Sequence, residues 1–427
     1  MGYEVSSSNN SMLVTGPGSV WNNVTNLYVG YSGAGDSLVI SNGGQVACSY
    51  IYGWSYVGYN SGSSNNTVLV TGPGSMWSSP DDLTVGQQGA GNSLVISNGG
   101  QVVSGHGLVG YSVSSSGNSV LVTGTNSVWS NTSSLLVGAY GAGNSVVISD
   151  GGKLVSSFGY LSYYSSSSSN NSVVVTGAGS TWSNFANLVV GEYANGNSLV
   201  ISKGGQVVNS QADNVYVGVS GYSSNSVLVT DPGSIWNSSS GLCVGFGGSG
   251  NSLVISNGGQ VVSAWGQVGN YAVSGNSVLV TGSGSVWSNI SSLYVGYSAG
   301  VNNSLFVNDS GRVVASSIVV YPGNLISLGG GNLIAANGLT VSANALLKGT
   351  GTIYANLTLA GTLAPGNSPG SLTNFGNLTL QSSAALQFEL GGTGQGSGYN
   401  FILVTNGVVT LDGLLQVGFI NGFQTTC

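Results

Sequence analysis

Short apolar triplets bounded by Ser, Thr or Asn recur from the N-terminus to about residue 320, as in Leu94-Val95-Ile96 within NSLVISNGGQVVS. That segment, 92–104, recurs letter for letter at 251–263, and a related unit, NSVLVTGTNSVWSNTSSLLVG at 118–138, alternates with it. The residue before the Ser or Thr that opens each triplet marks the period: Asn10, Asp36, Asn66, Asn92, Asn118, Asn144, Asn171, Asn197, Asn225, Asn251, Asn276 and Asn303. Steps run from 25 to 30 residues and are usually 26. Twelve units at one spacing predict a solenoid, since each unit alone is too small to bury its own apolar face.

Each unit holds three strand candidates: the triplet, a second segment after a glycine turn (Gln101-Val102-Val103), and a third ending in Val-Gly (Leu135-Leu136-Val137-Gly138). Gly-Gly, Asn-Gly or Pro-Gly turns separate them, and six of the seven prolines precede a glycine. Three strands in about 26 residues describe one coil of an all-β, right-handed parallel β-helix, each strand pairing with its equivalent in the next coil. A propeller with the double unit as its blade is the alternative. The triplets recur at half that period, and equivalent columns keep matching size, which a propeller does not require. The expected organisation is a twelve-coil array over 1–320, then a continuing solenoid of shorter, irregular coils over 321–427.

Strand alternation puts the outer triplet members, such as Leu94 and Ile96, inside. The third member is Val or Ile in every unit, a ladder of nearly constant volume suited to packing along an axis. Eleven of the twelve markers are Asn. Stacked amides donate to and accept from the coils above and below, a self-complementary ladder that Asp36 would interrupt as a donor. The other reading is that Asn suits a left-handed turn; against it, Ser and Gly would serve a turn equally and are absent here. Trp21, Trp77, Trp129, Trp182, Trp236 and Trp287 recur in every second coil, aligned by this count with Ala47, Val103, Val155, Val208 and Val262. Neighbouring aliphatic positions (Val20, Val46, Met76, Val102, Val128, Leu154) would then point inward and the indoles outward. These candidate surface aromatics would form a stripe of rings about 9.6 Å apart, fitted to glycans or another rod. Alternatively the indoles pack at a corner and alternate with Val by volume. Solvent exposure separates the two readings.

The units SVLVTGPGSVWS and NSLVISNGGQVVS resemble the repeats associated with type V secretion (autotransporter) and PEP-CTERM proteins of bacteria, over roughly 1–320. The segment LKGTGTIYANLTLAGTLAPGNSPGSL at 347–372, with LTLQSSAALQFELGG after it, resembles the passenger-associated β-strand segment of large autotransporter-like proteins. The resemblance implies export, a β-helical passenger, and residence at the bacterial surface or outside the cell. It implies no catalytic residues. The N-terminus, MGYEVSSSNNS, reads as the middle of a repeat, so the chain is expected to be a fragment. No signal peptide, translocator barrel or sorting tail is read in it.

Composition narrows the partners. Glycine supplies 73 of 427 residues, and only 4% of residues are charged. The abundant Val, Leu and Ile nevertheless offer enough apolar surface to offset ordering entropy. The apolar runs are too short for a membrane span. Net charge is −7, with Lys153, Lys203, Arg312 and Lys348 the only cations. So few cannot neutralise a phosphate backbone, which argues against nucleic acid, or form a polybasic membrane anchor. Cys48, Cys243 and Cys427 show no metal spacing, and the first two lie about seven coils apart. They are read as incidental.

Parallel β-helices also carry polysaccharide lyases and hydrolases, so the placement of carboxylates and histidine bears on function. Among eleven carboxylates only Asp81 and Asp82 cluster, and the sole histidine, His106, shares Asp82's register one coil on. At about one strand spacing they form a candidate acid–base group. The same column also holds Asn26, Trp54, Ser134 and Asn187, as a tolerant outward turn would. Calcium-binding glycine repeats need Asp where these turns carry Asn. No metal or cofactor is expected. The expected function is a non-catalytic stalk or adhesin-like passenger that meets glycans or other surface proteins. The alternatives are a carbohydrate-active enzyme, or a matrix protein self-associating through residues such as Val95, Leu121 and Val147.

Overall fold

The computed structural model describes residues 1–48, 53–211 and 214–423. It is an all-β parallel solenoid of about 15 turns with about 26 residues per coil. Two compact units divide it: Met1–Leu228 with Gly233–Asn237, and Val229–Pro232 with Ser238–Cys427.

In the first unit a typical coil is Ser93–Ser97, Gln101–Ser104 and Gly107–Val109. Each strand pairs in parallel with its equivalents: Leu94 sits between Val68 and Val120, and Ile96 between Val70 and Val122. The outer triplet members are fully buried and the middle one half-buried. Val95, Leu121 and Val147 are therefore half-covered by neighbouring coils rather than fully exposed. Each buried aliphatic contributes roughly 1.5–3 kcal/mol by transfer estimates. Hydroxyls line the outward edge: Ser41 Oγ donates to Thr15 Oγ1 at 2.9 Å, and Ser97, Ser149 and Ser202 do the same to Thr71, Thr123 and Thr176.

The turn after the triplet needs glycine for a steric reason. At Gly100, which follows the left-handed pair Asn98–Gly99, a Cβ would overlap the Val70 carbonyl one coil back.

The second unit repeats this plan through Ser317–Val320 and then changes. Leu325–Ala335 and Leu346–Tyr354 are single long strands in which the first two strands of a coil merge. Gly329–Gly331 takes up the corner as a register shift. The coil shortens to match: Asn303 meets Asn324, only 21 residues on. Ile326, Leu328, Leu333, Leu347 and Ile353 continue the buried core.

Candidate functional site

From Asn66 onward the marker asparagines are buried, Asn10 in the first coil is exposed, and within each unit the markers are linked one to the next. In the first unit each side-chain oxygen accepts both the backbone N–H and the amide of the preceding marker. Asn118 N lies 2.9 Å and Asn118 Nδ2 3.1 Å from Asn144 Oδ1. The same pair of bonds joins Asn66 to Asn92, Asn92 to Asn118, Asn144 to Asn171, Asn171 to Asn197 and Asn197 to Asn225. Asn10 donates likewise to Asp36 Oδ1, at 2.8 and 2.7 Å. Asp36 returns only its backbone N–H, 2.8 Å from Asn66 Oδ1, and its other carboxylate oxygen has no partner. In the second unit Asn251, Asn276 and Asn303 form a run that ends on Asn324, which the triplet marker did not include. Left-handed backbone falls on the residue before the marker, for example Asn65, Gly91 and Asn170, so turn geometry does not account for the amide. The Val-Gly motif belongs to the same device. A Cβ at Gly86, Gly110 or Gly138 would overlap the amide of Asn118, Asn144 or Asn171.

The outward-facing stripe of Trp21, Trp77, Trp129, Trp182, Trp236 and Trp287 is overturned. Five of these indoles are at most 1% exposed, and Trp21 in the first coil is half-buried. Counting from the triplet misaligned them by one residue, because the turn before Trp is one residue longer: Val70 to Trp77 spans seven positions, Ile96 to Val102 only six. Trp77 and Trp129 therefore flank Val102 in one inward column, and Val46, Leu154 and Val207 stand in the same column. Val20, Met76, Val128 and Thr181 face outward instead, level with Gln45, Gln101, Lys153 and Gln206. Room comes from the neighbouring coil, where Gly107, Gly159 and Gly266 leave no Cβ to meet Trp129, Trp182 and Trp287. Most indole N–H groups find an acceptor there too: Trp129 with Ser104 and Trp182 with Ser156 at 3.2 Å, Trp236 with Asn209 at 3.2 Å, Trp287 with Ser263 at 3.4 Å. Trp77 has none. Cys48 occupies the position of Ser104 in its neighbouring coil, and its sulfur contacts Ser55 Oγ at 3.3 Å instead. Cys48 and Cys243 are buried free thiols, both held above the ordinary thiol range by burial. Cys427 lies outside the described residues.

Asp82 and His106 do meet. Leu83 pairs with Gly107, which sets the two preceding residues in adjacent coils, and the Leu83 N–H donates to the His106 carbonyl at 2.9 Å. His106 Nδ1 accepts a long contact from the Ser134 N–H at 3.4 Å. One oxygen of Asp82 is buried without a partner. Burial holds its pKa above the usual carboxylate range; His106 pulls it back and Asp81 adds to the rise. Asp81 is half-buried beside it and does not line the cavity described next.

The outward face of the third strands carries most of the tyrosines. Two columns run along it, one from the strand centre and one just past the glycine. Tyr28 stacks on Tyr56 at 5.2 Å and Tyr31 on Tyr59 at 5.1 Å, while each coil's own pair meets edge-on. Further along, Tyr160 packs on Tyr163 at 4.3 Å and Tyr164 on Tyr140 at 5.3 Å. Between these banks the strand centres are Thr84, Leu108 and Leu136, which are too short to continue the column. The gap is a cavity of about 430 Å³, with Leu108 and Leu136 in its lining, Tyr111, Phe158, Tyr160, Tyr163 and Tyr164 as aromatic walls, and Asp82, His106 and Ser134 as its polar groups. Burial, then Tyr163 and Glu192, push the Tyr160 phenol up to about 12. Burial alone pushes Glu192 up to about 7, and one of its oxygens is buried without a partner.

No family model matches the chain, and no curated protein sequence does. Among solved structures it is similar to the crystal structure of a TibC-catalysed, hyper-glycosylated TibA fragment. That likeness is 14% in sequence identity with a TM-score of 0.30, and covers 96% of each chain.

Sequence reasoning found Asp82 and His106 but not the aromatic walls around them. Of those walls only Tyr111 carries the repeated Val-Gly-Tyr signal (shared with Tyr31, Tyr59 and Tyr297); the rest come from the aromatic cluster FGYLSYY at 158–164. Among the described residues no group of three His, Cys, Asp or Glu side chains gathers as a metal site requires. Nor, among the described residues, is any helix long and apolar enough to cross a membrane.

Proposed function

We propose that this chain is a non-catalytic, exported repeat protein, a stalk or adhesin-like passenger segment that works at the bacterial surface or outside the cell. One observation carries the reading: the most repeated side chains are consumed in links between coils. The asparagines bond to asparagines, the indoles fill the inside, and hydroxyls pair along the outer edge. Repetition of this kind builds length and holds a neutral surface in register. The resemblance of the repeats to autotransporter and PEP-CTERM-associated proteins supports export, and the surface rich in Ser, Asn and Tyr suits contact with glycans or other surface proteins.

The test is to tag the chain in the organism that encodes it, treat intact cells with proteinase K, and assay the purified protein against a panel of polysaccharides. The expected result is loss of the tag from intact cells and no release of reducing or unsaturated ends. Protection from protease until the cells are lysed would sink the surface assignment. Turnover abolished by Asp82→Asn or His106→Ala would replace it with a carbohydrate-active enzyme.

A further inference from the structure

The geometry points to the gap in the tyrosine face, between Asp82–His106 and Tyr160–Tyr163, as a binding site for an uncharged saccharide. This refines the surface-contact reading above by giving it one place and one partner class.

Three features carry it. First, the cavity's size, about 430 Å³, falls within the range of small-molecule sites, roughly 300–1,000 Å³. Second, its chemistry is split as a sugar's is. Tyrosine rings and the Leu108–Leu136 floor offer flat apolar surface for C–H faces. Asp82 brings a carboxylate and His106 an imidazole to the lining, an acceptor beside a ring that can donate. A sugar hydroxyl both donates and accepts, so a single ligand meets both needs. Third, charge selects among saccharides. The lining includes Asp82 and no Lys or Arg, so an acidic sugar would be repelled and left without a counter-ion. The neighbouring stretches of the face show what fills the space otherwise: Tyr28, Tyr56 and Tyr59 close against one another, whereas Leu108 and Leu136 leave the gap open.

The experiment titrates the full chain with four tetrasaccharides: cellotetraose, N-acetylchitotetraose, the amine-bearing chitosan tetramer and tetragalacturonate. Binding is followed by tyrosine fluorescence and calorimetry. At least one of the two neutral tetramers should bind, and tetragalacturonate at least about tenfold more weakly. Tyr160→Ala removes one wall, and Leu136→Trp fills the floor from an outward position. Each should weaken the neutral ligand about tenfold or more while the far-ultraviolet circular dichroism stays that of the wild type. The inference is overturned if neither neutral tetramer binds at about 10 mM, if binding survives both substitutions, or if the acidic tetramer binds best. Preference for the chitosan tetramer over its N-acetylated form would also overturn it, in favour of an ammonium–carboxylate contact. Failure here leaves the exported-scaffold reading standing, and protease protection in intact cells would sink that reading without touching this one.

Discussion

Asn144 accepts two hydrogen bonds from Asn118 and makes two to Asn171, all in a site with no access to water. Replacing it with Ala strands the backbone N–H and amide of Asn118, and each unsatisfied buried group costs about 1–3 kcal/mol. Asn144→Ala should therefore destabilise by about 2–6 kcal/mol in denaturant unfolding. Asn144→Asp should keep the accepted bonds and lose the side-chain donation, as Asp36 does naturally. Glu192 gives a second test at this scale. Its folded pKa of about 7 exceeds the ordinary value of 4.5 because burial penalises the charged form. Between those values the folded state holds a proton that the unfolded state has lost. This contribution is full below about pH 4.5, falls as pH rises, and is gone above about 7. Unfolding curves across that window should show Glu192→Gln erasing a pH-dependent loss of about 1 kcal/mol, after allowance for solvent screening of a half-exposed group.

Strand pairs explain why the indole column alternates. A Trp coil packs against a coil with Val or Leu at the paired position and, for Trp129, Trp182 and Trp287, with Gly as the first or second residue of the next strand. Large and small thus interlock along the inside at constant coil spacing. Trp77 is the imperfect member, because Cys48 stands where Ser104 and Ser156 accept an indole N–H in other coils. Cys48→Ser restores the acceptor and should raise stability by about 0.5–1.5 kcal/mol, read as a higher denaturation midpoint with unchanged slope. The same substitution in a Trp77→Phe background, which has no N–H to satisfy, should gain nothing.

Within each unit a coil touches chiefly the coils before and after it, so a local defect should stay local. Hydrogen exchange on Asn144→Ala should show faster opening in the strands around 119–123, 145–149 and 172–176, with protection near Ser37–Ser41 unchanged. Exchange rising evenly over the first unit would show cooperative opening instead. The fold relies on neutral ladders, with only 4% of residues charged. Its melting temperature should therefore move little between low and moderate sodium chloride, unlike a fold held by exposed ion pairs.

Coil, period, parallel pairing and the inward parity of the triplets were legible in the sequence. Each is a local rule repeated many times, so the repeats align against one another by their letters alone. The register of the second strand was not. A one-residue difference in turn length inverts every side chain after it, and turn length can be measured against the axis only once the coils are stacked. The close approach of the Val-Gly corner to the next coil's asparagine was hidden likewise, as were the tyrosine walls around Asp82 and His106. Those contacts join residues some 26 or more positions apart, and they depend on which side chains are too short to fill the space beside their neighbours. Periodicity names the columns, but packing alone decides which of them is left with a gap.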